Sequence, residues 1–314
     1  MPAPRPVAWI SHPACVLHDM GSGHPERPQR LLAIEQRLRD QGLFGRMRQL
    51  EAPAATPEQL VRVHERRHVE RVLNADTSRG PLRLDPDTVL TGHTAEAALR
   101  AAGAGIRAVD LALAGETGLA FCAVRPPGHH AERDHAMGFC FFNSAAVAAA
   151  HALARGLRRV AILDFDLHYG NGTANIFAGD ERVWLYSTYQ SPLYPGWEGR
   201  PDCLNLVDLP LPPGAGSAEF RAAVEHGWLG ALRAQQPELI VISAGFDAHA
   251  EDPLGDLQLE DEDYTWMAQQ ILHIADDCCP GRVVAMLEGG YALPALARGV
   301  ECFLRPFLGG DAAP

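Results

Sequence analysis

An apolar run near the middle of the chain, residues 160–163, stops in a segment of alternating acids and an imidazole. Because side chains alternate faces in extended backbone, the spacing predicts that Asp164, Asp166 and His168 point the same way. Two carboxylates and an imidazole on one face can hold a metal ion. A single Asp after a strand can merely cap a helix or turn the chain, but three such residues in register favour a site.

Three other motifs also follow apolar segments directly. They are Arg-Pro-Pro-Gly-His-His-Ala at 125–131, Ala-Gly-Phe-Asp-Ala at 244–248 and Glu-Gly-Gly-Tyr at 288–291. In open parallel sheets, ligands bind in the crevice outside the carboxyl ends of the strands, so the fold would bring these motifs together. That crevice would hold Asp247 and Tyr291. It would also hold the tandem imidazoles of His129 and His130.

Apolar periodicity predicts strands and helices in alternation along most of the chain. Strands are predicted at 7–10, 118–124, 159–164, 183–187, 239–243 and 283–287, and helices at 29–39, 57–64, 67–73, 93–114, 144–155, 217–235 and 261–277. Segment 80–92 reads as a surface loop because it is rich in Pro and Asp. The alternation is typical of α/β proteins with a mostly parallel, doubly wound sheet and helices on both faces.

Length and charge narrow the class of protein. The 314 residues and 47% hydrophobic content favour a single domain over residues 1–314. The 27 basic residues, all arginine, are outnumbered by 39 acidic ones, for a net charge of −12. The absence of lysine excludes Schiff-base catalysis by lysine and a Walker-type phosphate loop. The acidic balance argues against direct nucleic-acid binding and suits a cationic substrate.

The cysteines and the N-terminal residues predict the compartment. The seven cysteines are odd in number and never in Cys-x-x-Cys spacing, so we expect neither a disulfide framework nor a structural zinc knot. The first six residues lack an apolar signal-like region, and no uncharged apolar span is long enough to cross a bilayer. We therefore expect a cytoplasmic protein without membrane contact.

Asp166, His168 and Asp247 are the candidate metal ligands. Three protein ligands leave one position open for water or substrate, which is typical of catalytic rather than structural zinc. Two carboxylates are harder ligands than zinc usually has, so Fe²⁺ or Co²⁺ could also bind. The pattern predicts one metal ion per chain.

The motifs together resemble those of a known family. From His-Pro-Glu-Arg-Pro at 24–28 to Glu-Gly-Gly-Tyr at 288–291, they are similar to the motifs of the histone deacetylase-like amidohydrolases, specifically the class II-like bacterial members. The resemblance implies the arginase/deacetylase fold and zinc-dependent hydrolysis of an acetylated amine. It places the zinc on Asp166, His168 and Asp247, in agreement with the ligand pattern.

The resemblance also implies catalytic roles. His130 would be the general base that takes a proton from the attacking water and returns it to the leaving amine. His129 would be its electrostatic partner, oriented by Asp164, and Asn171 would orient His130. An Asp behind one imidazole and an Asn behind the other should separate their pKa values. Tyr291 resembles the family's transition-state donor.

Substrate contacts are implied in the same way. Phe139 and Tyr194, the former next to Gly138, match the walls of a narrow tunnel that holds the methylene chain of an acyl amine. Leu254 matches a residue on the rim of that tunnel. Arg30 resembles an arginine at the inner cavity where acetate leaves.

The resemblance also implies a second cation site. Ser187 resembles a residue of a structural potassium site, so K⁺ is a second candidate cofactor. The other ligands there would be the backbone carbonyls of Asp164, Asp166 and His168.

Tyr169 stands where the family usually has a histidine. That position is not a metal ligand, so we expect the chemistry to survive and the packing beneath the site to change.

The polar residues of segment 11–24 have two open interpretations. They are either solvated loop residues or contacts for the substrate at the tunnel entrance. They are His12, His18, Asp19 and His24.

The sequence leaves the substrate open. Acetyl-lysine in proteins, N-acetylated polyamines and small acylated metabolites all present an acyl-NH-alkyl group, and the fold does not choose among them. Leu254 is apolar where the polyamine-selective branch of the family carries an acidic residue, which favours acyl-lysine or a small neutral amide. An acid elsewhere on the rim, such as Asp19, Asp85 or Asp87, could still bind a remote ammonium.

Two other functions fit parts of the pattern. An arginase-like ureohydrolase shares the fold but needs a binuclear manganese site, and after the strand at 239–243 the chain offers only Asp247 in phase. A non-catalytic acyl-amine binding protein would keep the tunnel without turnover, although Tyr291 and both tandem histidines are present. The oligomeric state is equally open, with a homodimer or a homotetramer as candidates.

Overall fold

The structure is a computed structural model that describes residues 6–196 and 203–309. Most of the N-terminal segment on which the expectation of no export signal rests, residues 1–5, lies outside these ranges. Within them, none of the helices combines the length and the apolar character needed to span a bilayer.

Parallel strands form the centre of the molecule. The strands are β1 (Val7–Ser11), β2 (Arg48–Glu51), β3 (Leu82–Asp85), β4 (Thr88–Leu90), β5 (Leu119–Cys122), β6 (Val160–Asp164), β7 (Val183–Gln190), β8 (Leu206–Leu211), β9 (Leu239–Ala244) and β10 (Val283–Leu287). In the described ranges, all but β3 and β4 join one eight-stranded sheet in the order β2-β1-β5-β10-β9-β6-β7-β8. Every neighbouring pair in it is parallel, which confirms the predicted α/β architecture.

The four strands that carry the motifs are neighbours in the middle of this sheet. Strands β5, β10, β9 and β6 follow one another in the sheet order. Their carboxyl ends are nearly level, because Met286 pairs with Cys122, Leu287 with Ala244 and Asp164 with Ser243. The motifs that follow these strands therefore leave the sheet at the same edge and at similar height.

Helices surround the sheet. They are α1 (Ala14–Leu17), α2 (Gln29–Asp40), α3 (Pro57–Leu60), α4 (Arg66–Leu73), α5 (Thr94–Leu113), α6 (Ser144–Ala154), α7 (Asn171–Phe177), α8 (Ser217–Gly227), α9 (Leu229–Gln235), α10 (Asp261–Cys278) and α11 (Leu293–Phe307). Helices α5 and α6 pack on each other and on central strands, while α2, α10 and α11 form another group. The buried faces of α5 and α6 are mostly alanine, and such small side chains let helices approach closely.

Three predicted elements differ from the structure. The helix predicted at 217–235 is two helices, because the chain breaks at the fully buried Trp228 after Gly227, a poor helix former. The helix predicted at 57–64 ends at Leu60, and His64 instead makes hydrogen bonds to distant backbone. The surface loop predicted at 80–92 contains the antiparallel hairpin of β3 and β4, with its turn at 86–87.

Candidate active site

After β6, hydrogen bonds from the backbone to carboxylate side chains, rather than strand geometry, determine the path of the polypeptide. The strand ends at Asp164, so the alternation argument does not hold beyond that residue. Asp164 Oδ1 accepts the Asp166 N–H at 3.2 Å, and Asp166 Oδ1 accepts the His168 N–H at 2.9 Å. Carboxylates that accept nearby backbone N–H groups replace the sheet ladder and turn the chain. The same three residues still reach the crevice, but through these turns.

Asp166, His168 and Asp247 lie together at the strand ends. Their potential ligand atoms all lie within 4.8 Å of one another. His168 Nδ1 is 3.1 Å from Asp166 Oδ1 and 3.2 Å from Asp247 Oδ2. Asp247 Oδ2 is buried and makes no hydrogen bond within residues 6–196 and 203–309. A buried carboxylate oxygen without a donor fits a cation, so the donor set suits a divalent metal ion.

The electrostatics of this cluster also favour a cation. Burial acts to lower the pKa of His168, but its contacts with the carboxylates of Asp166 and Asp247 outweigh burial and raise the pKa to about 9. Burial, reinforced by the Asp166 carboxylate, raises the pKa of Asp247. The two carboxylates thus create a strongly negative pocket that attracts positive charge.

Gly289, at the end of β10, closes one side of the cluster. Its N–H donates to Asp166 Oδ2 at 2.8 Å. A Cβ atom at this position would overlap the carboxylates of Asp247 and Asp166. Because glycine has no side chain, the backbone of Gly289 can lie in direct contact with these carboxylates.

The tandem imidazoles have different partners. His129 Nδ1 donates to Asp164 Oδ2 at 3.0 Å, and its Nε2 lies 3.7 Å from Asp166 Oδ1. His130 Nδ1 donates to Asn171 Oδ1 at 2.6 Å. The two ring centroids are 4.0 Å apart. The structure therefore brings together each histidine and the partner proposed for it.

These different partners shift the pKa values of His129 and His130 in opposite directions. Burial acts to lower the pKa of His129, but the carboxylates of Asp166 and Asp164 raise it well above its ordinary value. Burial lowers the pKa of His130 well below its ordinary value, and the charges of His129 and His168 add to the effect. At neutral pH the pair therefore consists of a cationic His129 and a neutral His130.

Tyr291 lies beside the cluster with a protonated hydroxyl. The residue is 8% exposed. Burial raises the pKa of its phenol well above 10, although the nearby Arg30 guanidinium opposes the shift. That guanidinium lies 4.9 Å from the centre of the Tyr291 ring, and the Phe139 ring stands edge-on to Tyr291 at 5.8 Å. The hydroxyl can thus act as a hydrogen-bond donor in the site.

Arg30 is fully buried behind this tyrosine. Its Nε donates to the Gly290 carbonyl at 2.7 Å, and its terminal nitrogens donate to Glu26 Oε1 and to the Glu288 carbonyl. The guanidinium therefore braces the backbone turn that carries Tyr291. In the described part of the chain, Arg30 is not among the residues that line the tunnel cavity. Its place at an acetate channel stays a prediction.

A tunnel leads to these groups. It is a cavity of about 250 Å³ whose walls include His129, His130, His168 and Tyr291. The predicted tunnel residues also line it: Gly138, Phe139, Tyr194 and Leu254. Pro127, which belongs to the motif at 125–131, also lines it, as does Leu193, which the sequence did not single out.

Two lining residues show how the tunnel wall is built. The ring of Tyr194 stands edge-on to His130, with the ring centroids 5.2 Å apart. Gly138 adopts a φ of 56°, and a Cβ atom there would overlap the His130 ring. A side chain at 138 would therefore be strained and would also displace His130.

Two carboxylates that the sequence left without a role hold the motifs in place. Glu288 Oε2 accepts the N–H groups of Gly128 at 2.6 Å and of His129 at 3.1 Å. Asp252 Oδ2 accepts the Tyr291 N–H at 2.6 Å, and its Oδ1 accepts the Leu254 N–H at 3.1 Å. Glu288 stands inside a quoted motif, so its position was a signal. The Asp-Pro-Leu turn at 252–254 was the signal for Asp252.

The polar residues of segment 11–24 have separate environments. His18 is fully buried, bonded through Nδ1 to Thr94 Oγ1 at 3.0 Å, so it is neither solvated nor at the tunnel. His24 packs on Phe139 with ring centroids 4.7 Å apart and donates from Nε2 to the Asp87 carbonyl. His12 pairs with a distant glutamate, and Asp19 is exposed. Of the four, His24 is the one in contact with the tunnel wall.

Ser187 lies on β7 directly opposite Asp164. Its Oγ is buried and has no hydrogen-bond partner among the residues that the structure describes. An unpartnered buried hydroxyl fits a cation site of the kind predicted from the resemblance.

Tyr169, which stands where the family usually has a histidine, is buried and packs against the Tyr189 ring, with the centroids 4.8 Å apart.

The loop that carries the tandem histidines is braced by another histidine. His64 is 3% exposed. Its Nδ1 donates to the Glu132 carbonyl at 2.8 Å, and its Nε2 accepts the Asn143 N–H at 2.9 Å. Burial, aided by the neighbouring His68, lowers the pKa of His64 to about 3. Both contacts use the neutral imidazole.

We therefore expect His64 to make the fold sensitive to acid. Unfolded His64 takes up a proton near pH 6.5 whereas the folded residue does so only near pH 3, so stability is complete above pH 6.5 and falls as pH decreases. This group alone should cost about 2 kcal/mol of unfolding free energy between pH 7 and pH 5. His64→Gln should lose less over that interval in urea denaturation. His273→Gln, at an exposed position, is the control. An unchanged pH dependence in His64→Gln would contradict the interpretation.

Known proteins are similar to this chain in sequence and in architecture. The family model of the histone deacetylase domain matches residues 24–306. The histone deacetylase-like amidohydrolase of Pseudomonas aeruginosa is 38% identical over 293 residues, covering 90% of this chain and 75% of that protein. The human polyamine deacetylase HDAC10 is 37% identical over 311 residues, covering 92% of this chain and 45% of that protein. The crystal structure of the HDA15 HD domain has a TM-score of 0.91 at 34% identity, covering 98% of this chain and 90% of that chain.

The matched region contains the whole site described above. It begins at His24, which contacts the tunnel wall, and extends beyond Tyr291. The likeness thus covers the central sheet, the strand ends and the tunnel together. The chain belongs to the histone deacetylase family of hydrolases, and its eight-stranded parallel sheet is that of the arginase/deacetylase fold.

Proposed function

We propose that the chain is a zinc-dependent amidohydrolase that cleaves a linear N-acyl amide, foremost an N-acetyl amide, to acetate and a free amine. The observation that carries the proposal is the pair of adjacent imidazoles with opposite pKa shifts, placed beside a three-ligand cluster in an apolar tunnel. Asp166, His168 and Asp247 would hold the metal. When bound, the cation polarises the substrate carbonyl and lowers the pKa of water. Fe²⁺ or Co²⁺ could replace zinc on the same donors.

The chain's own residues supply the proton transfers. Neutral His130 accepts a proton at Nε2 from the attacking water, because its Nδ1 is already committed to Asn171. The same proton then passes to the nitrogen of the leaving amine. Cationic His129, paired with Asp164, stabilises the negative charge that develops on the substrate. The Tyr291 hydroxyl donates a hydrogen bond to the carbonyl oxygen as that charge grows.

The tunnel supports a substrate with an unbranched alkyl chain. Phe139, Tyr194 and Leu193 provide apolar walls, and Leu254, which the family resemblance assigns to the rim, is a further apolar lining residue. The cavity has a volume of about 250 Å³ and is lined largely by apolar and aromatic side chains, which suits an extended methylene chain. Acetyl-lysine, in a protein or peptide, or a small acylated amine meets these conditions.

Acetylpolyamine hydrolysis is the second candidate. Asp87 lines the tunnel, and it raises the pKa of nearby Asp85 in addition to the effect of burial. These acids would suit the remote ammonium of an acetylpolyamine, and one human relative is named a polyamine deacetylase. Against this, Leu254 gives the rim no charge. We therefore favour acyl-lysine.

Two other candidates have less support. An arginase-like ureohydrolase needs ligands for two adjacent manganese ions, and the described residues around Asp247 form one group of three. A non-catalytic acyl-amine binding protein would not need the His130–Asn171 pair or a protonated Tyr291 in the tunnel. We retain residues 1–314 as one cytoplasmic catalytic domain that binds neither nucleic acid nor membrane. A structural K⁺ near Ser187 and a homodimer or homotetramer are further parts of the proposal.

A substrate panel tests the proposal. The zinc-loaded protein should hydrolyse an acetyl-lysine peptide with a higher kcat/KM than acetylspermidine. Leu254→Glu should move the ratio of the two kcat/KM values at least about tenfold toward acetylspermidine, because it places a carboxylate near the remote ammonium. A kcat/KM for acetylspermidine tenfold above that for every acetyl-lysine peptide would reverse the substrate assignment. The absence of turnover on every acyl amide, with zinc bound, would refute the enzymatic function.

A further inference from the structure

Glu132 lies directly behind Asn171, the partner of His130. Its side chain is 10% exposed. Oε1 accepts a hydrogen bond from Asn171 Nδ2 at 2.7 Å, while Asn171 Oδ1 is 2.6 Å from His130 Nδ1. A continuous chain of hydrogen bonds therefore runs from the Glu132 carboxylate through the amide to the imidazole.

The chemistry of the three groups determines which atom donates and which accepts in each of these hydrogen bonds. An ionised carboxylate only accepts hydrogen bonds, so it holds the amide NH₂ of Asn171 on its own side and leaves Oδ1 facing His130. That oxygen also only accepts, so Nδ1 of His130 must carry the proton. In the neutral imidazole the lone pair is then on Nε2. A flipped amide would set two oxygens against each other at Glu132.

The other acceptors near Asn171 Nδ2 are weaker. The His130 carbonyl lies at 3.4 Å and the Met137 sulfur at 3.3 Å. Neither is charged, and both are farther away than the 2.7 Å of Glu132 Oε1. Charge-assisted hydrogen bonds are shorter and stronger than neutral ones, so Glu132 dominates the orientation of the amide.

We propose that Glu132 is a positioning residue that sets the tautomer of His130 through Asn171, and so makes Nε2 the proton acceptor. This inference rests on the proposed function, because it concerns the base of that reaction. In the described part of the chain, Glu132 neither lines the tunnel cavity nor belongs to the group formed by Asp166, His168 and Asp247. It acts on the reaction only through Asn171.

Single substitutions test this role in the zinc-loaded full chain with an acetyl-lysine peptide. Glu132→Ala removes the acceptor and should lower kcat by about 10–100-fold, with KM changed by less than about threefold. Glu132→Gln keeps an oxygen that can accept from Asn171 and should retain most of the rate. Asp134→Asn changes an exposed carboxylate two residues away and is the matched control. Its kcat should equal that of the unaltered protein.

A double substitution reverses the hydrogen bond. Asn171→Asp alone sets two carboxylates face to face and should be impaired. Adding Glu132→Gln gives the new carboxylate an NH₂ donor, which restores the contact with opposite polarity. The double variant should therefore exceed Asn171→Asp in kcat by about tenfold or more. Because relief of the repulsion between the two carboxylates would also help a purely structural contact, the tautomer of His130 is measured in the same variants.

The tautomer can be measured without turnover. Long-range ¹H–¹⁵N NMR of histidine-labelled protein should place the neutral His130 proton on Nδ1, and Glu132→Ala should shift part of the population to Nε2. An unchanged tautomer and kcat in Glu132→Ala, or a double variant no better than Asn171→Asp, would overturn the inference. If Glu132→Ala does not fold, Glu132→Gln and the double variant decide. If the unaltered protein cleaves no acyl amide, the proposed function fails and the NMR result still decides the role of Glu132.

Discussion

Alanine at Asp166, His168 or Asp247 is expected to abolish both metal binding and turnover. The three potential ligand atoms lie within 4.8 Å of one another, and the site has no fourth protein ligand in that group within the described residues. Loss of one donor leaves two, which is too few for a stable zinc site. Chelation of the unaltered protein should have the same effect on turnover. Metal content by mass spectrometry and kcat/KM for an acetyl-lysine peptide are the measurements.

His135→Ala is the matched control for these variants. His135 belongs to a second group that could hold a metal ion, formed with Glu132 and Asp134, but this group is largely exposed. The variant should keep one metal ion per chain and normal turnover. If Asp247→Ala kept stoichiometric metal and a normal rate, the proposed ligand set would be wrong.

Tyr291→Phe is expected to lower kcat by about 10²–10³-fold, which corresponds to about 2.7–4 kcal/mol of transition-state stabilisation. The substitution removes only the hydroxyl, which burial keeps protonated beside the candidate metal ligands. A donor aimed at the developing negative charge stabilises the transition state more than the bound substrate. KM and metal content should therefore change little. Steady-state kinetics and metal analysis on the same preparation test both expectations.

Tyr264→Phe serves as the control for the loss of a buried hydroxyl. Tyr264 is 1% exposed, and its ring packs on Phe246. In the described part of the chain its hydroxyl has no hydrogen-bond partner and it does not line the tunnel cavity. Its kcat should stay close to that of the unaltered protein. A drop of less than about threefold in Tyr291→Phe would show that the tyrosine is structural and that other donors act on the substrate.

The clustering of the four motifs could be predicted from the sequence because it depends on topology. Each motif directly follows an apolar strand, and parallel strands end at one edge of a sheet. The sheet order makes β5, β10, β9 and β6 neighbours, so residues as distant as His129 and Tyr291 meet without further assumptions. The pairing of His129 with Asp164 and of His130 with Asn171 came from the family resemblance, and the structure places both pairs in contact.

Contacts that depend on irregular backbone were not predictable. Glu132 meets Asn171 because a loop folds back on α7, and no periodicity encodes that path. The turns at Asp164 and Asp166 use side chains as backbone acceptors, which a strand pattern does not represent. Strand β8 was missed because it is an edge strand that contains Pro210, a residue that argues against a strand on sequence alone.

The Asp252 carboxylate joins two parts of the molecule that an engineer would wish to vary independently. One oxygen accepts from the N–H of Leu254, a lining residue that the proposed function places at the tunnel mouth, and the other accepts from the N–H of Tyr291. A library of variants that reshapes the tunnel mouth to admit new substrates will therefore displace Tyr291 whenever it shifts residue 252. With the role proposed for Tyr291, such variants would hydrolyse every substrate more slowly. Substitutions of the side chain at 254 that leave the turn intact would alter substrate preference without that general loss of rate. The Asp252 carboxylate therefore separates a position that can be varied from one that has to be kept.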